Sequence, residues 1–142
     1  MGDMKELPEM NVRVVDVDSL IPYARNARTH SPAQVQQLAA SIKEFGWTNP
    51  MLVDGENGII AGHGRLAAAQ LLGLKRVPVI ELSGLTDAQK KAYILADNKL
   101  ALNAGWDLEM LKVELEELKE LDFDMLLTGF SSVELADIMV PK

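Results

Sequence analysis

The chain has 142 residues, a net charge of −7 and no cysteine. That length builds about one domain with its own core, without disulfide or metal staples. The composition excludes disulfides, thiol catalysis and Cys-based zinc sites, and two histidines far apart in sequence, His30 and His63, speak against a histidine-rich metal site.

In chain order, Val12 to Val17 alternates as a strand does, and Ile21-Pro22 closes it. Tyr23 to Arg28 is polar and has neither a helical nor a strand period. Ser31-Pro32-Ala33-Gln34 reads as a capping box with proline at the first helical position; Leu38, Ile42 and Phe45 continue the apolar face and Gly46 ends the helix. Pro50 to Asp54 and Gly58 to Ala61 flank Gly55-Glu56-Asn57-Gly58, the pattern of a hairpin. A second helix is expected from His63 to Leu72, stopped by Gly73. Val77 to Leu82 is a strand, and Pro78 within it predicts an edge position.

From residue 85 the character changes. Thr86-Asp87-Ala88-Gln89 opens a helix reaching about Leu100, Asp107 caps another with Leu108, Leu111, Leu115 and Leu118, and Ser131 to Glu134 caps a short last one. The expectation is an α+β fold: a small mixed sheet with helices over residues 11–84, followed by a helical acidic C-terminal extension, 85–142, packed on it. The Trp106 and leucine stripe is either part of a core or a partner surface.

Charge is segregated along the chain. Residues 1–10 carry −2, residues 11–80 carry +2 and residues 81–142 carry −7, and every arginine (Arg13, Arg25, Arg28, Arg65, Arg76) lies in the middle segment. Arginine suits phosphate, so a local anion site within a globally acidic chain is the natural reading. No apolar run approaches a membrane span, and MGDMKELPEM does not look like a secretory signal, so a soluble cytoplasmic protein is expected.

The segment Ile59-Ile60-Ala61-Gly62-His63-Gly64-Arg65 sets two glycines at a strand-to-helix junction. A helix N-terminus attracts anions, and Arg65 adds a bidentate cation. The same glycines also suit a tight turn with Arg65 as surface, and the residues alone leave both readings open. Gly62-x-Gly64-x-x-Ala67 also satisfies the dinucleotide pattern, with Glu81 at the spacing of a ribose-binding acid. The preceding hairpin, and the lack of further strands after Leu82, argue against that fold.

Taken in order, these pieces resemble the N-terminal domain of the ParB family, which has the ParB/sulfiredoxin-like fold. Arg25-Asn26-Ala27-Arg28 stands where that family tends to have Asn-Pro-Arg. Leu38-Ala-Ala-Ser-Ile-Lys-Glu-Phe-Gly46 is similar to its Leu-x-x-Ser-Ile-x-x-x-Gly helix, Gly46-Trp-Thr-Asn-Pro50 to Gly-x-x-Gln-Pro, and Gly62-His-Gly-Arg-Leu-Ala-Ala68 to Gly-Glu-Arg-Arg-x-x-Ala. The resemblance implies a pocket for a nucleoside triphosphate such as CTP, with Mg²⁺. Gly46, Asn49, Pro50, Gly62, His63, Gly64, Arg65, Arg25 and Arg28 would face the nucleotide. Asp97 and Asn98 would hold the metal, or simply form a polar helix face. His63 replaces the family's Glu and Gly64 an Arg, which puts hydrolysis in question and makes His63 a candidate general base or hydrogen-bond donor to phosphate, or simply a polar residue at a helix start. The fold's sulfiredoxin activity uses a cysteine, and this chain has none.

The resemblance also implies a DNA-related setting. Tyr93 to Ala101 and Thr128-Gly129-Phe130 look like the short ParB-like modules of prophages that are often joined to, or encoded near, DNA methyltransferases. The helices after residue 85 are acidic and carry no recognition helix with Arg, Lys, Asn or Gln at base-reading spacing. Three functions follow for testing: a nucleotide-binding ParB-like domain, a ParB-like nuclease acting on DNA, and a non-catalytic adaptor or N-terminal module of a methyltransferase. Small-molecule phosphotransfer is a further option on this fold, with nothing in the residues to select a substrate.

Overall fold

The computed structural model describes residues 12–24 and 30–140. Four strands form one mixed sheet: β1 (Val12–Asp16), β2 (Met51–Val53), β3 (Ile59–Ala61) and β4 (Arg76–Glu81), in the order β1-β4-β2-β3. β1 runs antiparallel to β4 and β3 antiparallel to β2, while β2 and β4 are parallel. The predicted hairpin is therefore present, and the predicted edge position of Pro78 is not. β4 is central, between β1 and β2. Its proline is tolerated because Met51 pairs with Val79, so the parallel ladder with β2 opens one residue beyond the imino nitrogen.

One face of the sheet is covered by α2 (His63–Leu71), and α1 (Pro32–Phe45) packs in turn on α2. Met51, Val53, Ile59, Leu66, Ala69, Val77 and Val79 form the main core, and Ala39, Ile42 and Ala68 form a second cluster between the helices. Ala68 and Ala69 are fully buried, and their small side chains let α2 be sandwiched closely on both sides. Trp47 packs against both clusters. Each large side chain buried here contributes about 1.5–3 kcal/mol. The capping box at Ser31 forms as its sequence predicts: the Ser31 hydroxyl accepts from the Gln34 N–H, and the Gln34 side chain accepts from the Ser31 N–H.

α3 (Asp87–Asn103) lies against the edge strand β3 and buries Ile94. A β-bulge prepares this contact. Leu52 pairs with Ala61 and Val53 with Ile59, leaving Ile60 as the extra residue. Bulges bend a strand and redirect its side chains. The remaining helices, α4 (Leu108–Glu120) and α5 (Ser132–Met139), join through a 3₁₀ turn at Met125–Thr128. This unit meets α1: the Gln37 side chain donates to the Gly129 carbonyl at 3.2 Å, and the Phe45 and Phe123 rings stack at 6.3 Å. Of the predicted leucine stripe, Leu111 and Leu115 are buried, whereas Leu108 and Trp106 are exposed. Among the described residues no helix is long and apolar enough to cross a membrane.

Asp54 ties the hairpin to α3. Its carboxylate accepts from the Glu56 and Gly58 N–H groups at 2.9 and 2.8 Å, and from Lys90 Nζ on α3 at 3.0 Å. Burial pushes the Asp54 carboxyl up, but the Lys90 hydrogen bond, the two N–H groups and the Lys90 charge together hold it below its ordinary value. Its stabilising contribution is thus present above pH 3.8 and lost as pH falls through the depressed pKa. Asp54→Ala is expected to cost about 1–3 kcal/mol in urea unfolding at neutral pH, and Asp54→Asn less, because the amide oxygen still accepts from the turn.

Candidate functional site

The junction between β3 and α2 is built by two glycines with different structural reasons. Gly62 is the N-cap of α2 at φ +107°, a left-handed conformation, and a Cβ there would lie 2.6 Å from Met51 Cγ. Gly64 is buried in the first turn, where a Cβ would lie 2.9 Å from both His30 Cε1 and Leu38 Cδ1. Gly62 is required by its left-handed φ and by the approach to Met51, whereas at Gly64 the contacts are the outer atoms of the His30 and Leu38 side chains, which would have to shift to admit a Cβ. The backbone N–H groups of the first turn remain without helical partners, as at any helix start.

These residues line a cleft of about 170 Å³ together with His30, Leu38, Ile60, Ala61, Arg65, Asp97 and Asn98. The bulge that frees Ile60 and Ala61 from simple alternation thus sets both on the cleft wall. Arg65 is half-buried there and forms no ion pair among the described residues. From the opposite side α3 supplies Asp97, which is exposed, and Asn98, which is half-buried. The Asn98 amide N–H donates to the Ile94 carbonyl at 2.9 Å, so the nitrogen is committed and Oδ1 is left as an acceptor. Tyr93 is raised above its ordinary pKa by burial and then by the Asp97 charge. A carboxylate and an amide oxygen opposite a helix N-terminus suit a hard cation that completes its shell with phosphate oxygens and water.

The cleft does not gather every residue expected at it. Gly46, Asn49 and Pro50 sit on the connection from α1 to β2 and do not line it. Gly46 ends α1 at φ +83°, with its N–H donating to the Ile42 carbonyl. Arg25 and Arg28 lie outside the described residues. Conversely, His30 and Leu38 belong to the cleft and were not singled out as site residues. Their only sequence signal is position, just before and within the capped helix α1 that packs on α2. The two histidines that stand far apart in sequence meet at one wall. Glu81, the acid of the dinucleotide pattern, pairs instead with Arg13 at 3.1 Å, and the strand entering the glycines is an antiparallel edge strand.

His63 has a defined hydrogen bond. Its Nε2 accepts from the Tyr23 backbone N–H at 3.0 Å, tethering the segment after β1 to the start of α2. A backbone N–H can only donate, so Nε2 must carry its lone pair and the imidazole is neutral. Burial, and then the neighbouring His30, lower its pKa below 6.5. This lone pair is therefore occupied, and the arrangement makes His63 a tether first. The stability it supplies is present above pH 6.5 and lost as pH falls through its depressed pKa. His63→Gln, whose amide oxygen also accepts, is expected to flatten the fall in melting temperature on acidification. His63→Ala is expected to lower the melting temperature across the neutral range.

Comparison with known proteins places the chain. The family model described as ParB N-terminal domain matches residues 1–99, and one described as ParB-methyltransferase HTH domain matches residues 109–142. The second match revises the expectation from sequence: helices of helix-turn-helix kinship do follow the core, although α5 carries no Arg, Lys, Asn or Gln. The ParB-like nuclease domain-containing protein YnaK of Escherichia coli is 63% identical over 75 residues, 53% of this chain and 86% of the relative. The probable chromosome-partitioning protein ParB of Treponema pallidum is 38% identical over 114 residues, 77% of this chain but 32% of the relative, so the chain spans about a third of that protein. Among solved structures, C-terminally truncated ParB from Caulobacter crescentus complexed with CTP-γ-S superposes with a TM-score of 0.73 at 25% identity, covering 91% of this chain and 77% of that one. Sulfiredoxin from Arabidopsis thaliana shares the fold, with a TM-score of 0.50 at 20% identity over 59% of this chain and 97% of that one. The chain belongs to the ParB N-terminal domain family.

Proposed function

We propose that the cleft between α2 and α3 binds the phosphates of a nucleoside triphosphate, CTP foremost, with Mg²⁺, and that the chain works in a DNA-related system. The observation that carries this reading is convergence. The α2 N-terminus with Arg65, and the Asp97-Asn98 pair on α3, come from segments about 30 residues apart and line one cleft. The Caulobacter relative, complexed with a CTP analogue, supports the choice of nucleotide. A cleft of about 170 Å³ is below the usual range of small-molecule pockets, roughly 300–1,000 Å³. It fits phosphate groups, and the base and sugar would extend beyond it. Bound Mg²⁺ would neutralise phosphate charge; Asp97 and Asn98 Oδ1 would hold it, while Arg65 and the first-turn N–H groups would orient the phosphate oxygens.

Calorimetric titration of CTP, ATP, GTP and UTP, with and without Mg²⁺, tests this directly. One nucleotide is expected to bind, and Arg65→Ala to weaken it by about tenfold to a hundredfold, the scale of a lost charge-assisted hydrogen bond. Asp97→Ala is expected to remove the Mg²⁺ dependence while leaving metal-free binding in place. Flat traces for all four nucleotides would overturn the reading and leave the adaptor function.

A nuclease activity has less support. Asp97 is the single carboxylate among the described residues lining the cleft, and among those residues no group of three or more His, Asp or Glu stands together as metal ligands. Supercoiled plasmid incubated with the chain and Mg²⁺ or Mn²⁺ is expected to stay intact on a gel. Nicking that disappears in Asp97→Ala would reverse this ranking.

A further inference from the structure

The C-terminal helical unit has helix-turn-helix kinship and the wrong chemistry for DNA. Residues 107–140 carry ten acids (Asp107, Glu109, Glu114, Glu116, Glu117, Glu120, Asp122, Asp124, Glu134, Asp137) and two lysines (Lys112, Lys119), a net charge of −8. The second helix of the unit, α5, reads Ser-Val-Glu-Leu-Ala-Asp-Ile-Met and has no cation for a phosphate and no amide for a base edge. A DNA backbone would be repelled by it.

What the unit offers instead is a groove lined by apolar and charged side chains together, on a helical unit of net charge −8. Between α4 and the end of α5 lies a depression of about 420 Å³, lined by Leu108, Ile138 and Val140, with Glu109, Asp137 and one cation, Lys112, around it. Leu108 is 60% and Val140 53% exposed, so the apolar lining is open to solvent. The unit's own attachment to the core uses other residues, Phe123 and Gly129 against α1. The groove is thus left over after the fold is satisfied. Grooves with apolar lining accept the apolar face of an amphipathic segment, and the two acids in the lining together with the net charge of −8 on the unit favour a partner of opposite charge.

We propose that this groove docks a basic, amphipathic segment of a partner protein, so that the helix-turn-helix-like unit of this chain is a protein-docking module and not a DNA reader. The inference stands independently of nucleotide binding, because the groove and the cleft share no residue.

The test uses the full chain, a fluorescein-labelled amphipathic Leu/Lys peptide of about 14 residues, and a labelled 30-base-pair duplex, each read by fluorescence anisotropy. The peptide is expected to bind and the duplex not to bind. Glu109→Lys with Asp137→Lys is expected to weaken the peptide at least tenfold. Glu114→Lys with Glu117→Lys makes the same change in net charge on another face of α4 and is expected to change it less than twofold. Ile138→Asp is expected to weaken the peptide although it adds negative charge, which isolates the apolar contact; unchanged circular dichroism and melting temperature show that each variant folds. Equal losses in the two lysine pairs would reduce the effect to bulk charge and overturn the proposal. So would absence of peptide binding, or duplex binding by the wild type.

Discussion

The whole arrangement turns on one steric constraint, the left-handed turn at Gly62. The chain leaves an edge strand and must enter a helix at once, directly above Met51, which is itself buried under the sheet's core face. Only a residue without Cβ fits both the positive φ and the 2.6 Å approach to Met51. Because the turn is that tight, the free N–H groups of α2 open beside the bulge at Ile60, where α3 lies against β3. A looser connection would carry the helix start away from α3, and the cleft would have one wall. The glycines serve the fold, and the fold leaves polar backbone exposed at the start of α2.

The opposite wall is held by a different kind of force. α3 is a 17-residue helix with Ile94 as its fully buried anchor, while Leu95, Leu100 and Leu102 remain exposed. Its position relies on Ile94 against β3 and on the half-buried Lys90–Asp54 pair. Asp54 in turn is organised by the turn that closes the hairpin. The acid at Asp97 is thus positioned through a chain of contacts, from hairpin turn to Lys90 to helix, and not by the core directly. Helices with few apolar contacts occupy the low-stability end of a fold, where a ligand bridging two elements has most influence.

Much of this was legible in the sequence for local reasons. Capping boxes at Ser31, Thr86 and Ser131 fix helix starts through hydrogen bonds three residues long, so they can be read without knowing the fold. The hairpin and the stop at Gly73 are equally local. The central place of Pro78 is not legible locally, because a proline's tolerance depends on where the neighbouring strand begins, and that is set by the register of β2, some 27 residues earlier. The sequence neighbours of His63, glycines and an arginine, suggest a general base. Its actual partner is the Tyr23 N–H, 40 residues away, which no local pattern announces. His30 was missed for the same reason.

The distribution of charge gives these pieces a common sense. Among the described residues the arginines lie on β1, α2 and β4 (Arg13, Arg65 and Arg76), and the acids accumulate where the chain becomes helical. At physiological salt the Debye length is about 8 Å, so the −8 of the C-terminal unit is screened well before it reaches across a domain. A phosphate group entering beside Arg65 therefore meets local attraction, whereas a long polyanion laid across the surface would meet the acidic helices over many contacts. The same chain can thus favour a small phosphate ligand while disfavouring a duplex along α4 and α5. The two proposals are therefore compatible in one chain: a phosphate ligand beside Arg65, and a basic protein segment at the acidic unit.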